Sequence, residues 1–156
     1  MPTRVLALAA LLIAAAPAGA ADPLDPPAAP DESTGFAPVS GADADLGAYV
    51  NRARPVIVFA DAPDDPAFAE QMRLLAARWS ELADRDAVVI ADTDPAARSP
   101  VRQKLRPRGF MLVLIDKSGQ VALRKPFPWD ARELMRAIDR MPDRREEIRN
   151  RRATGG

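Results

Sequence analysis

The sequence predicts an α/β domain built on one mixed, four-stranded sheet with helices on its faces. Three observations give the element order β-α-β, a short helix, then β-β-α. Two apolar runs, at residues 56–60 and 87–91, are typical of strands buried on both faces. An amphipathic helix separates them, and a third apolar run leads into a hairpin. A helical crossover makes the first two strands parallel, whereas a tight hairpin is antiparallel, so the sheet is mixed.

The helix between the first two strands is expected to begin after Asp65, an N-cap residue followed by Pro66 at the first helical position. Large apolar residues then recur in steps of three and four, which places them on one face of a single helix of roughly five turns. They are Phe68, Met72, Leu75, Trp79 and Leu82. We interpret this face as core packing.

The remaining elements follow from turn and capping signals. Ser99 caps a short helix. Residues 110–115 and 120–125 form a hairpin closed by a glycine-containing turn. Asp130 begins the last helix of the domain, which ends at Pro142.

The composition excludes several kinds of chemistry. The 156 residues include 22 basic and 22 acidic side chains but neither cysteine nor histidine. There can be no thiol nucleophile, disulfide, Ser-His-Asp relay, ordinary zinc site or imidazole pH switch. Dithiol redox enzymes and most common hydrolases are therefore excluded, and no cofactor is predicted.

The amino terminus has the pattern of a secretory signal peptide spanning residues 1–20. A short basic start precedes an apolar stretch at residues 5–16, and small residues precede the expected cleavage near Ala20. We expect a protein exported to the periplasm or beyond, with no transmembrane segment in the mature chain.

Three further segments are predicted for the mature chain. Residues 21–42 are rich in proline and acids and lack the apolar surface that would offset ordering, so we expect a disordered lead-in. The folded domain is expected at residues 43–142. An Arg-rich tail, helical or frayed, is expected at residues 143–156.

Three stretches resemble the secreted family named domain of unknown function 4174. They are residues 85–90, residues 114–119 and, as the most specific, Ile138, Asp139, Met141, Pro142 and Arg144 followed by Glu146 and Glu147. The resemblance covers about residues 45–149. It implies a thioredoxin-like domain in exported proteins and brings no established activity.

Two departures from working thioredoxins bear on function. Those enzymes carry Cys-x-x-Cys between the first strand of this order and its helix, where the helix dipole stabilises a thiolate. The loop here reads Asp-Ala-Pro-Asp-Asp-Pro, and Arg-Gly-Phe stands where thioredoxins have a cis-proline. We interpret the domain as a redox-inactive binding module for a protein or peptide in the cell envelope. Its candidate surface consists of Asp61, Asp64, Asp65, Arg108, Gly109 and Phe110.

Two other functions remain open. Asp61, Asp64 and Asp92 follow the two parallel strands and could form a carboxylate- or metal-dependent hydrolytic site at their carboxyl ends. The loop from Asp92 lacks the third acid and the glycine of a calcium loop. Alternatively, the Arg-rich tail could tether the protein to acidic envelope surfaces. Nucleic acid is not an expected partner, because the net charge is near zero and no aromatic residues are interleaved with the basic ones.

Overall fold

The structure, a computed structural model, describes residues 35–155, so the predicted signal peptide lies outside the described residues. The strands are β1 Val39–Ser40, β2 Arg54–Phe59, β3 Ala87–Asp92, β4 Met111–Ile115 and β5 Val121–Lys125. The helices are α1 Pro66–Ala76, α2 Trp79–Ala83, α3 Pro100–Leu105, α4 Ala131–Asp139 and α5 Pro142–Thr154, with a 3₁₀ turn at Leu46–Tyr49. None of the helices in this part of the chain has the length and hydrophobicity that a membrane crossing requires.

The strands form one mixed sheet in the order β1-β3-β2-β4-β5. β2 lies in the middle, parallel to β3 and antiparallel to β4, and β4 and β5 form the predicted hairpin. The sheet has five strands where four were predicted. The additional strand, β1, pairs Val39 with Ile90 at the sheet edge. Two residues are too few to show a strand periodicity, which is why the sequence did not reveal it.

Part of the expected disordered lead-in is folded. Residues 35–42 were expected to be disordered, yet Phe36 is buried and packs edge-to-face on Trp79, with ring centroids 5.5 Å apart. Residues 35–42 of the expected lead-in are therefore part of the folded domain, and residues 21–34 lie outside the described residues.

The sheet is covered on both faces, as the continuous apolar runs predicted. Because side chains alternate along a strand, Val56 and Val58 of β2 point to one face, and Ile57 and Phe59 to the other. The first face packs against α1, α2 and α4 through Leu75, Leu82, Leu134 and Ile138. The second packs against α3 and the 3₁₀ turn through Leu46, Val101 and Leu105.

The predicted long helix after β2 is interrupted. α1 begins at Pro66 as expected, and Asp65 accepts hydrogen bonds from the backbone N–H groups of Ala67 and Phe68 at 2.8 and 3.3 Å. The helix ends at Ala76, and α2 starts at Trp79. Neither proline nor glycine stands at the break, so local sequence could not predict it. The break instead coincides with a tertiary contact, because Trp79, the first residue of α2, packs on Phe36.

The carboxyl-terminal region is more ordered than expected. α4 ends at Asp139, two residues before the end that was predicted from Pro142, and Pro142 is instead the first residue of α5, which continues to Thr154. Arg144, predicted to lie on a solvated helical extension, is buried. The first two turns of α5 therefore pack against the domain.

Candidate functional site

The carboxyl ends of β2 and β3 lie side by side, and the acids that follow them meet at one edge of the sheet, called here the carboxyl edge. Phe59 is paired with Asp92, the last residue of β3, and the backbone N–H of Ala60 donates to the carbonyl of Asp92 at 3.0 Å. Asp61 follows directly. Parallel pairing thus brings together two loops that are far apart in sequence.

Asp92 is the centre of a buried polar cluster at this edge. Its side chain is 4% exposed, and its Oδ1 accepts hydrogen bonds from Nε and Nη2 of Arg102 at 3.0 and 2.8 Å. Arg102 Nη2 also donates to the carbonyl of Ala60 at 2.8 Å. The Ser99 hydroxyl donates to Oδ2 of Asp92 and accepts from the Arg102 backbone N–H at 3.2 Å, so Ser99 is the N-cap of α3 as predicted. Both carboxylate oxygens of Asp92 therefore accept hydrogen bonds from within the domain.

The lack of a side chain at Gly41 lets the chain after β1 pass close to Asp92. Its backbone N–H donates to the carbonyl of Ala91 at 2.8 Å, so it extends the pairing of β1. A Cβ atom at position 41 would lie 2.6 Å from Oδ2 of Asp92. Only glycine allows the chain to pass this close to a carboxylate that is held in place.

Asp61 links the loop after β2 to the loop before β4. Its side chain is 64% exposed, and its Oδ1 lies 3.8 Å from Nη1 of Arg102. Its Oδ2 lies 4.0 Å from the position that a Cβ atom would take on Gly109, whose φ is 61°. Asp61 and Gly109, both predicted site residues, are therefore neighbours in the fold.

The other predicted surface residues have separate roles. Asp65 caps α1, and Phe110 is partly buried against the core. Asp64 and Arg108 are exposed, and within residues 35–155 neither makes an ion pair. Together with Asp61, they are the charged groups of the predicted surface whose side chains are exposed to solvent.

The three candidate metal ligands do not converge. Across residues 35–155, no group of three or more carboxylate, thiol or imidazole residues is placed to hold a metal ion. Asp92 is committed to Arg102, whereas Asp61 is directed to solvent. No contact in this part of the chain favours a hydrolytic site over a binding surface.

A second group of charges lies at the other end of the strands, where β2 and β3 begin. This group is called here the basal cluster, and it consists of Arg54, Asp86, Lys117, Asp143 and Glu147. The Arg54 side chain is 0% exposed. Its Nη2 donates to Oδ2 of Asp143 at 2.7 Å and to Oε1 of Glu147 at 2.8 Å, and its Nη1 donates to the carbonyl of Arg85 at 2.8 Å. Lys117 Nζ lies 2.7 Å from both Asp86 and Glu147.

The cluster controls the titration of its central acid. Burial acts to raise the pKa of Glu147, but hydrogen bonds from Lys117, Arg54 and Arg144 outweigh it and lower this pKa from 4.5 to about 2. Burial likewise acts to lower the pKa of Lys117, and its hydrogen bonds to Asp86 and Glu147 raise it instead. Lys117 and Glu147 therefore each stabilise the ionised form of the other.

The signature residues at the carboxyl terminus surround this cluster. Asp139 accepts two hydrogen bonds from Arg85, at 2.9 and 2.8 Å, and Arg144 donates to Glu147 at 3.0 Å. Ile138 and Met141 are buried in the core, and Pro142 begins α5. The signature therefore corresponds to a structural unit that docks α5.

Sequence reasoning missed Arg54, Arg102 and Lys117. All three bind partners that are distant in sequence: Arg54 and Glu147 are 93 residues apart, and Arg102 and Ala60 are 42 apart. Arg54 did carry one signal, because it lies two residues before the apolar run at residues 56–60, and a charge buried together with that strand requires a partner. The partner itself could not be identified from a single sequence.

Comparison with known proteins gives a family and a fold. The sequence model of the family described as Domain of unknown function (DUF4174) matches residues 45–147. No curated protein sequence matches the chain. The crystal structure of the reduced 2-Cys peroxiredoxin of Plasmodium vivax is similar at a TM-score of 0.52 and 12% identity, covering 65% of this chain and 86% of that one. The solution structure of reduced desulfothioredoxin from Desulfovibrio vulgaris Hildenborough gives 0.49 and 16%, covering 66% and 97%. At such identity the peroxiredoxin confirms the thioredoxin-like fold and nothing more.

Proposed function

Because the chain belongs to the DUF4174 family, a domain of unknown function, we propose its function from its geometry. We infer that it is a redox-inactive thioredoxin-like module that binds a protein or peptide partner at the carboxyl edge of its sheet. The supporting observation is the composition of the loop between β2 and α1. Where the redox-active members of this fold hold two cysteines, this loop presents Asp61, Asp64 and Asp65, and the whole chain contains no cysteine.

The carboxyl edge has the properties of a binding surface. Asp61 lies beside Gly109, so the exposed charges of Asp64 and Arg108 stand on neighbouring loops. Behind Asp61, Arg102 joins Asp92 at the end of β3 to the carbonyl of Ala60 after β2, which holds the loop after β2 in place. A rigid support reduces the ordering cost of association, which favours binding by pre-formed loops.

We place this activity outside the cytoplasm. The basic start, the apolar stretch and the small residues before position 20 support export, and the partner is then a protein or peptide of the cell envelope. Cell fractionation tests this directly, because a protein recovered from the cytoplasm at full length would contradict it.

The partner surface is tested by photo-crosslinking in cells from a reactive residue introduced at Pro63 or Arg108. We expect capture of a defined protein. The double variant Asp64→Asn with Arg108→Gln should reduce capture from position 63, since it removes the exposed charges of the face. The matched control is Glu133→Gln with Arg136→Gln, which removes one acid and one base from an exposed pair on α4.

Two results would contradict the proposal. Capture that is equal in the double variant and in the control would show that the carboxyl edge is not the binding face. Reduction of insulin above background would show that the domain performs redox chemistry despite its composition. Thermal unfolding of all variants should be unchanged, because the substituted side chains are exposed.

A further inference from the structure

An open cleft of about 350 Å³ lies beside α3 and is lined mainly by arginines. Its lining residues are Pro95, Arg98, Arg102, Gln103 and Arg106. Arg102 lies on α3, and Arg98 and Arg106 lie in the two turns that flank this helix. We propose that this arginine cleft binds a phosphate group, and this inference does not depend on the protein-partner proposal.

Two of the three arginine charges of the cleft are not neutralised within the described residues, whereas Arg102 is paired with Asp92. Among residues 35–155, Arg98 and Arg106 form no ion pair, and residues 98–108 contain five basic residues and no acid. This contrasts with the basal cluster, in which each cation faces at least one carboxylate. Two guanidinium groups therefore remain free to bind an external anion.

Arg102 forms the fixed wall of the cleft. Its Nε and Nη2 are bound by Asp92 and Ala60, and its side chain is only 11% exposed. Its Nη1 donates no hydrogen bond to the described residues. This Nη1 lies 3.8 Å from Oδ1 of the exposed Asp61. Arg102 is thus a fixed residue of the cleft wall, whereas the exposed Arg98 and Arg106 have no ion-pair partner among residues 35–155.

The backbone at the two free arginines also points to a side-chain role. Arg98 and Arg106 both adopt φ of 49°, in the left-handed region. Asparagine or glycine would adopt this conformation at lower cost. The backbone conformation alone therefore does not favour arginine at these positions.

The chemistry of the cleft matches a phosphate group. Guanidinium groups pair with phosphate oxygens through two parallel hydrogen bonds, and several arginines together select a group with more than one negative charge. The cleft is large enough to admit a phosphate ester with part of its organic substituent. The phosphate could belong to a soluble ester or to a lipid headgroup, and these two sources are separated by experiment.

The test uses the purified chain and two double variants. Arg98→Asn with Arg106→Asn removes both free charges, and asparagine tolerates the left-handed backbone. Arg145→Gln with Arg149→Gln removes two exposed arginines from α5 and is matched in charge. Backbone amide spectra are recorded during titration with inorganic phosphate at constant ionic strength. We expect saturable shifts at residues 98–106, weakened by about tenfold or more in the first variant and unchanged in the second.

A second arm identifies the source of the phosphate. Vesicles of phosphatidylcholine with and without phosphatidic acid are sedimented with each protein. Binding of inorganic phosphate together with phosphatidic acid vesicles indicates a lipid headgroup, whereas binding of inorganic phosphate alone indicates a soluble ester. The absence of saturable shifts in the native chain would overturn the proposal. So would equal weakening in the two variants, because it would show a non-specific charge effect. Matching thermal unfolding curves establish that both variants are folded.

Discussion

The buried guanidinium of Arg54 donates a hydrogen bond to Glu147 over 2.8 Å, although 93 residues separate them. Arg54 is the first residue of the central strand, and Glu147 lies in the second turn of α5. Since the family match ends at residue 147, its final residue is a direct partner of this arginine. The carboxyl-terminal helix is thereby part of the domain and not an appendage to it.

Removing the buried cation should be strongly destabilising. Arg54→Met would leave Asp143 and Glu147 facing an apolar side chain, and breaking a buried pair from one side costs about 3–5 kcal/mol. We expect a loss near the lower value, because Lys117 remains bound to Glu147. Urea unfolding measures the free energy. The control is Arg73→Met, whose pair with Glu70 is exposed and should contribute little to stability. Similar losses in both variants would contradict the role assigned to the basal cluster.

Stability should fall in acid through Glu147. Its pKa is about 2 in the folded protein, below the ordinary value of 4.5. The folded state therefore binds the proton less readily than the unfolded chain. Its contribution is complete above about pH 5 and is lost as the pH falls toward 2. Glu147→Gln should be less stable at neutral pH and should show a shallower decline in the free energy of unfolding over this interval. Glu146→Gln, at an exposed neighbour, should retain the native slope, and a native slope in Glu147→Gln would refute the assignment.

Truncation separates the docked part of α5 from its exposed end. A chain ending at Met141 lacks Asp143, Arg144 and Glu147, so we expect a large decrease in melting temperature. A chain ending at Arg149 keeps all three and should melt close to the native value. Equal melting of both chains would mean that α5 does not support the domain. A tether function of the tail must therefore be tested with the longer chain. In the shorter chain, loss of binding could not be distinguished from loss of folding.

Local rules predicted much of this fold. The apolar runs identified β2, β3 and β4, and Asp65, Ser99 and Asp130 were recognised as helix caps because capping depends on neighbours two or three residues away. Parallel and antiparallel pairing followed from the type of connection. The break between α1 and α2, the strand β1 and the burial of Phe36 were not predictable, since each depends on contacts between distant segments.

The candidate site was predictable only in part. The position of Asp61 and Asp92 at one edge follows from parallel pairing of the strands that precede them. Whether such an acid is free or committed depends on its partners, and Arg102 supplied no periodic or motif signal. Charge composition likewise indicated an excess of basic residues after position 98. Only the fold shows that Arg144 forms ion pairs with Asp139 and Glu147, whereas Arg98 and Arg106 form none among the described residues.

The pair of Asp92 and Arg102 should couple the two loops of the carboxyl edge. Asp92→Asn removes the charge with little change in shape, and Arg102→Met removes the guanidinium together with its bond to the carbonyl of Ala60. Each single variant leaves a poorly solvated partner, so we expect losses of about 2–4 kcal/mol in the free energy of unfolding. The double variant should lose less than the sum of the two, by about 1–3 kcal/mol, because the interaction can be lost only once. Strictly additive losses would show that the two side chains act independently, and the rigid support proposed for the binding surface would then have to come from elsewhere.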